Sequence, residues 1–333
     1  MNNNALKPPL NDGEEIRLKN FRSSQNKVAI MMFIMLSAEF AAGIALLVIM
    51  SVYPGLKDNT FRYELAQALM YLSYMIIPIF AFGLINGKRP GNYFTFRRGG
   101  KHTVAVGIAV LGAVYFAQLV AAVVAELLDG IGLNSSAGEL TATADPAVIA
   151  LRFVYLAVIP AVLEELMTRG LILGELLPYG KGFAIVVSGA IFGFMHMNPV
   201  QLPFAFIAGA SMAFAVVYCG TLRVSIIVHF INNFLSILFS TLPAFLPEET
   251  VMHIEAVTAA VVFAAASVSV VWLIMHKDGL EQKENKALCT EVNEPYKVDL
   301  REGTLGKISP LLYIYAVSAT VITIISLITS SML

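Results

Sequence analysis

Apolar residues run through this chain in long blocks separated by short polar connections, without the alternation of a half-buried strand or the stripe of a surface helix. A helix needs about 20 mostly apolar residues to cross a bilayer. Runs that approach or exceed this fall at 28–53, 62–86, 103–128, 147–177, 183–197, 200–219, 223–243, 251–275 and 309–331. The pattern predicts an all-α, polytopic membrane helical bundle of about nine transmembrane segments. The fourth run is too long for one straight crossing and should tilt or bend. The fifth is short and stops at Met197-Asn198-Pro199, a helix-ending sequence.

Composition narrows the class. Hydrophobic residues make up 57% of the 333 and charged ones 14%, against roughly a quarter charged in soluble domains. The net charge of -1 offers no basic surface, so nucleic acid is excluded as a partner. Cys219 and Cys289 form neither a disulfide framework nor a zinc motif. The polar residues 1–27 read as a cytosolic tail with no early apolar region of the signal-peptide kind. With the N-terminus inside, cytosolic connections hold Lys88, Arg89, Arg97, Arg98, Lys101, Lys181 and Arg223, together with the basic residues of a loop at 276–308. Segment 129–146, on the other side, has Asp129, Glu139 and Asp145 and no basic residue. This asymmetry predicts a cytosolic N-terminus and, for nine crossings, an outer C-terminus. The chain then divides into the tail, N-terminal helices at 28–146, a polar-rich group of helices at 147–243, and C-terminal helices at 244–333 that include the loop.

Charged groups inside a membrane span are costly and point to function or to a buried partner. They concentrate between residues 160 and 235, as Glu164-Glu165-x-x-x-Arg169, Phe192-x-x-x-His196 and His229-x-x-x-Asn233. Residues four apart share a helix face, so Glu165 can pair with Arg169 while Glu164, turned about 100° away, faces a cavity. His229 and Asn233 point the same way, and Asn232 lies off their face. Phe192 sits one turn before His196 and can limit its rotamers. A carboxylate and an imidazole sharing a water, Glu164 with His196, can remove its proton as it attacks a carbonyl. A second imidazole and an amide, His229 with Asn233, can donate to the resulting oxyanion. Glu164, His196 and His229 are also ordinary zinc ligands. The cofactor is therefore either none or a divalent metal such as zinc.

These three motifs resemble those of the CPBP family, the CAAX proteases and bacteriocin-processing enzymes also called the ABI family, related to the type II CAAX prenyl endopeptidase. The resemblance covers about 147–240. It implies an intramembrane endopeptidase acting on a membrane-associated peptide or protein in the lipid bilayer, in a bacterial cell membrane. Glu164 and His196 would activate water, and His229 and Asn233 would stabilise the oxyanion. Members are described both as metalloproteases and as metal-free glutamate enzymes. Thr168 departs from the family, where an aromatic residue often precedes the arginine.

Two other functional classes fit a polytopic chain with buried polar groups. A non-proteolytic scaffold or sensor partner, regulatory or conferring bacteriocin immunity, would have no chemical need for all four residues. A transporter usually carries paired repeats, and none is seen. Glu165 and Arg169 read as a structural ion pair. Glu39, Glu64, Glu126 and Glu255 have no motif partner and read as bundle-facing or boundary carboxylates. Glu175, in the turn closing the fourth segment, reads as solvated. Gly189, Gly193, Gly209 and Gly220 are placed to allow close helix approach.

Overall fold

The computed structural model describes residues 12–87, 89–133, 140–276 and 307–332. Most of the predicted loop at 276–308, the start of the tail, Lys88, Glu139 and Cys289 lie outside the described residues. Among those described, every long element is a helix: α1 Asp12–Val52, α2 Thr60–Asn86, α3 Thr103–Gly130, α4 Pro146–Tyr179, α5 Lys181–Phe194, α6 Gln201–Cys219, α7 Arg223–Thr241, α8 Glu248–Met275 and α9 Pro310–Met332. All except α5 are long and apolar enough to cross a membrane, giving eight candidate spans. The architecture is the all-α polytopic bundle that the hydropathy pattern implies.

Two boundaries differ from the sequence reading. The polar tail is helical from Asp12 and continues without a break into the first span. The run at 183–197 yields only the 14-residue α5, about 21 Å at 1.5 Å per residue and short of a hydrocarbon core of ~30 Å. An odd number of crossings, and with it an outer C-terminus, does not follow from eight long helices.

Helix α1 packs on α2 and α9, while α3 packs on α6, α7 and α8. Helices α5 and α6 form a tight antiparallel pair because the facing positions lack side chains. A Cβ on Gly189 would lie 2.8 Å from the Ala210 nitrogen, and one on Gly193 2.9 Å from the Leu202 oxygen. Gly220 serves differently, closing α6 with a left-handed φ of 67°, which a residue without Cβ adopts at little cost.

The overlong α4 keeps its length by widening twice into π-helical turns, at Phe153–Val158 and Leu166–Ile172. Such bulges insert i→i+5 bonds and re-aim the side chains around them. The first precedes Pro160, which has no N–H for the Leu156 carbonyl four residues back. The second follows Glu165, where the Thr168 hydroxyl donates to the Glu164 carbonyl at 2.6 Å, in competition with the backbone ladder. At its far end α4 is fastened to α1. Glu175 is buried and accepts from Ser24 at 2.7 Å and from the Tyr93 phenol at 2.8 Å, with Lys27 Nζ 3.6 Å away. It is a buried junction and not the solvated turn residue its position suggested. Burial and the Glu175 carboxylate hold the Tyr93 phenol above its ordinary range, so it remains the donor.

Candidate active site

A cavity of about 1300 Å³ opens among α1, α2, α3, α4, α5, α6, α7 and α8, and Glu164, Phe192, His196, His229, Asn232 and Asn233 all line it. The bundle thus brings together the residues of all three motifs. Glu165 and Arg169 stand behind this wall, fully buried.

His229 organises the carboxylates. Its Nδ1 lies 2.9 Å from Glu165 Oε1, and its Nε2 lies 3.8 Å from Glu164 Oε2. The nitrogens sit on opposite edges of the ring, so one imidazole reaches two adjacent glutamates that diverge around α4. A carboxylate can only accept from an N–H, so Nδ1 donates to Glu165 and Nε2 is presented to Glu164. Glu165 also accepts from Arg169 Nη1 at 2.7 Å. The ion pair read from the i,i+4 spacing is present, and it also orients a histidine.

His196 lies just beyond α5, in the turn and not on the helix face. Its Nδ1 is 2.7 Å from the Phe192 carbonyl, one of the carbonyls that a helix C-terminus leaves free. That bond places the proton on Nδ1 and leaves Nε2 without a hydrogen bond among the described residues. Met197, at φ 44°, then turns the chain, and Asn198 Oδ1 accepts from the amides of Val200 and Gln201 to start α6. No direct hydrogen bond or ion pair joins Glu164 to His196 among the described residues.

Phe192 is the hinge of the packing. Its ring meets His196 edge-on at 4.9 Å and His229 at 5.8 Å between centroids, and the Arg169 guanidinium lies 4.2 Å from its centre. Gly209 makes room, since a Cβ there would come 2.9 Å from Phe192 and 3.1 Å from Arg169.

Asn233 Nδ2 donates to the Leu156 carbonyl at 3.0 Å, the group that Pro160 cannot serve. Its Oδ1 accepts from Asn232 at 3.0 Å, and Asn232 Oδ1 accepts from Gln118 at 2.8 Å. Asn232, set aside on helical phase, is therefore bound into the same wall. Tyr71 donates to Glu164 Oε1 at 2.8 Å. Tyr71 and Gln118 come from α2 and α3, outside the motif-bearing helices. The signal for Gln118 was available, as the lone amide in an otherwise apolar span. Glu39 and Glu255 also line the cavity, whereas Glu126 is exposed.

Glu164, His196 and His229 share a cavity, but among the described residues no three His, Cys, Asp or Glu side chains converge as a set for a metal ion. In this arrangement they do not fit one, and the chemistry derived below uses the side chains alone.

Comparison with curated proteins and with solved structures gives no match. A family model does match, over α4 to the middle of α7: Rce1-like, type II CAAX prenyl endopeptidase, at residues 146–235. With eight helices suited to crossing a bilayer, the chain is an integral membrane protein. Over residues 146–235, about a quarter of its length, the chain is similar to the Rce1-like family, type II CAAX prenyl endopeptidase, in line with the family that the three motifs resemble.

Proposed function

We propose that the chain is an intramembrane endopeptidase that hydrolyses a peptide bond of a membrane-associated peptide or protein, in a bacterial cell membrane. The observation that carries this reading is the single cavity onto which Glu164, His196, His229 and Asn233 all open, within the stretch that matches the protease family.

In this mechanism a water held between Glu164 and the free Nε2 of His196 loses a proton to that pair as its oxygen attacks the scissile carbonyl. The lack of a direct bond between the two groups suits a pair that acts through a shared water. The carbonyl oxygen becomes an oxyanion. The second N–H of Asn233 and His229 Nε2, when protonated, donate to it. The tetrahedral species then collapses, the C–N bond breaks, and the abstracted proton passes to the departing amine. Glu165, Arg169 and Phe192 hold the two imidazoles in place.

The test compares membrane peptides from cells making wild-type or Glu164→Gln protein, followed by cleavage of the differing peptides by purified protein. Glu164→Gln and His196→Ala should each abolish cleavage with normal expression, because both act on one water. Substantial cleavage by either purified variant would sink the assignment. A scaffold would give identical peptide profiles.

A further inference from the structure

The motif residues hold the two imidazoles but do not by themselves orient Glu164 and Asn233. Glu164 has two carboxylate oxygens, and one of them, Oε1, accepts the Tyr71 phenol at 2.8 Å. The other, Oε2, faces His229 Nε2 at 3.8 Å, too far for a normal hydrogen bond. Tyr71 thus decides which oxygen is held and which is available to a proton. Its ring is fixed in turn by an edge-on contact with Tyr74 at 5.2 Å, and both rings line the cavity.

Asn233 has a comparable dependence. An amide turned end for end would present its carbonyl oxygen to the oxyanion and repel it. Here the direction is set by a head-to-tail chain: Gln118 donates to Asn232, Asn232 to Asn233, and Asn233 to the Leu156 carbonyl. Every member uses a donor toward the next acceptor, so reversing Asn232 or Asn233 breaks two bonds at once, and reversing Gln118 breaks the one that starts the chain. The chain begins on α3, as the Tyr71 contact begins on α2. Neither helix lies in the 146–235 stretch.

We propose that Tyr71 and Gln118 are positioning residues of the reaction, Tyr71 orienting the Glu164 carboxylate and Gln118 fixing the direction of the Asn233 amide. The site is then completed by the N-terminal helices, and the family-matching stretch alone does not hold its reacting groups in working geometry. This inference rests on the proteolytic reading above. Tyr71→Phe and Gln118→Met keep side-chain size, the first removing the phenol hydroxyl and the second the side-chain amide with its donor to Asn232. Misplacement of a reacting group lowers turnover without altering ground-state binding.

The full-length variants in detergent are assayed on a quenched-fluorescent peptide library. Infrared difference spectra of the same samples identify the Glu164 carboxyl band as the one lost in Glu164→Gln. Both variants should lose roughly tenfold in kcat with KM within about twofold and an unchanged melting temperature, and the Glu164 band should move in Tyr71→Phe only. Wild-type kcat in either variant, or a Glu164 band unmoved by Tyr71→Phe, would overturn the proposal. If wild-type protein cleaves no peptide, the proteolytic reading is what fails. The band then decides Tyr71's hold on Glu164 by itself.

Discussion

Helix α4 buries two arginines, each paired with a glutamate, and the two pairs are built to different ends. Arg152 reaches across to α2, where its Nε lies 3.0 Å from both oxygens of Glu64, while its Nη1 donates to the Thr141 carbonyl at 2.7 Å. The pair is bidentate, joins two helices, and engages each guanidinium nitrogen. Arg169 bonds within its own helix, through Nη1 alone, to Glu165 and to the Thr168 hydroxyl. Its Nε and Nη2, and Glu165 Oε2, have no hydrogen-bond partner among the described residues, and the guanidinium rests on the Phe192 ring. The first pair is a clamp between helices, with the Tyr155 phenol donating to Glu64 Oε2 at 3.4 Å as a further side-chain contact. The second is under-bonded because Glu165 is shared with His229 and Arg169 with an aromatic ring that touches both histidines. A buried ion pair is weak evidence for stability alone. What distinguishes the two is whether a motif histidine depends on the geometry of the pair.

The comparison is broken most directly by replacing each pair with apolar residues of similar volume. Glu64→Leu with Arg152→Met should leave cleavage intact and leave stability unchanged or raised by about 1–4 kcal/mol, the usual outcome when a buried pair is replaced as a unit. Thr141 is an exposed residue, so the carbonyl that this replacement releases can turn to water. Glu165→Leu with Arg169→Met should abolish cleavage, because His229 loses its Nδ1 acceptor and Phe192 its cation. Removing one partner is worse for folding, since it strands a charge at a cost of about 3–5 kcal/mol. Glu165→Ala and Arg169→Ala should therefore melt in detergent well below Glu164→Ala. Equal melting temperatures for these three, or retained cleavage in the Glu165→Leu/Arg169→Met protein, would erase the distinction.

A smaller effect is expected at Asn233, which serves both purposes. Asn233→Ala removes an oxyanion donor, and the loss of one such donor lowers kcat by about 10²–10³ with KM changed only a few-fold. It also leaves the Leu156 carbonyl unserved next to Pro160, a cost of about 1–3 kcal/mol. Asn232→Ala, which keeps the donor and loses only its orientation, should lie between wild type and Asn233→Ala in kcat. A normal kcat in Asn233→Ala together with a lower melting temperature would place Asn233 with the clamps.

Much of this was legible in sequence because membrane spans and i,i+4 pairs depend on short-range pattern. The Glu165–Arg169 pair and the packing of Phe192 on His196 follow from spacing. Features that depend on backbone register were not legible. The π turns of α4 are caused by Pro160 and by Thr168, but no residue count announces where an i→i+5 bond will replace an i→i+4 one. Glu165 was assigned to Arg169 alone because His229 reaches it from 64 residues away. Long-range contacts were equally hidden. Glu175 is buried because Ser24, Lys27 and Tyr93 converge on it from α1 and the connection after α2. Tyr71 and Gln118 reach Glu164 and Asn232 from 93 and 114 residues away. His196 was placed on a helix that ends two residues before it, since a left-handed Met197 is not a residue type that marks a turn.

The smallest effect sharpens the comparison at the point where the second pair departs from the family pattern. The fully buried Thr168 hydroxyl donates to the Glu164 carbonyl and accepts from Arg169 Nη1, both at 2.6 Å. Thr168→Val keeps the shape and deletes both bonds. Nη1 retains Glu165 as acceptor, so the cost should be near the lower end of the ~1–3 kcal/mol for an unmet buried group, and kcat should fall by less than about tenfold. Thr168→Ser preserves the hydroxyl and should stay close to wild type in both respects. The measurement is thermal unfolding in detergent beside Arg169→Ala. If Thr168→Val proved as destabilising as Arg169→Ala, the hydroxyl and not Glu165 would be the acceptor that holds the guanidinium. Glu165 would then be bound chiefly to His229, and the second pair would be an extension of the reacting groups and not their support.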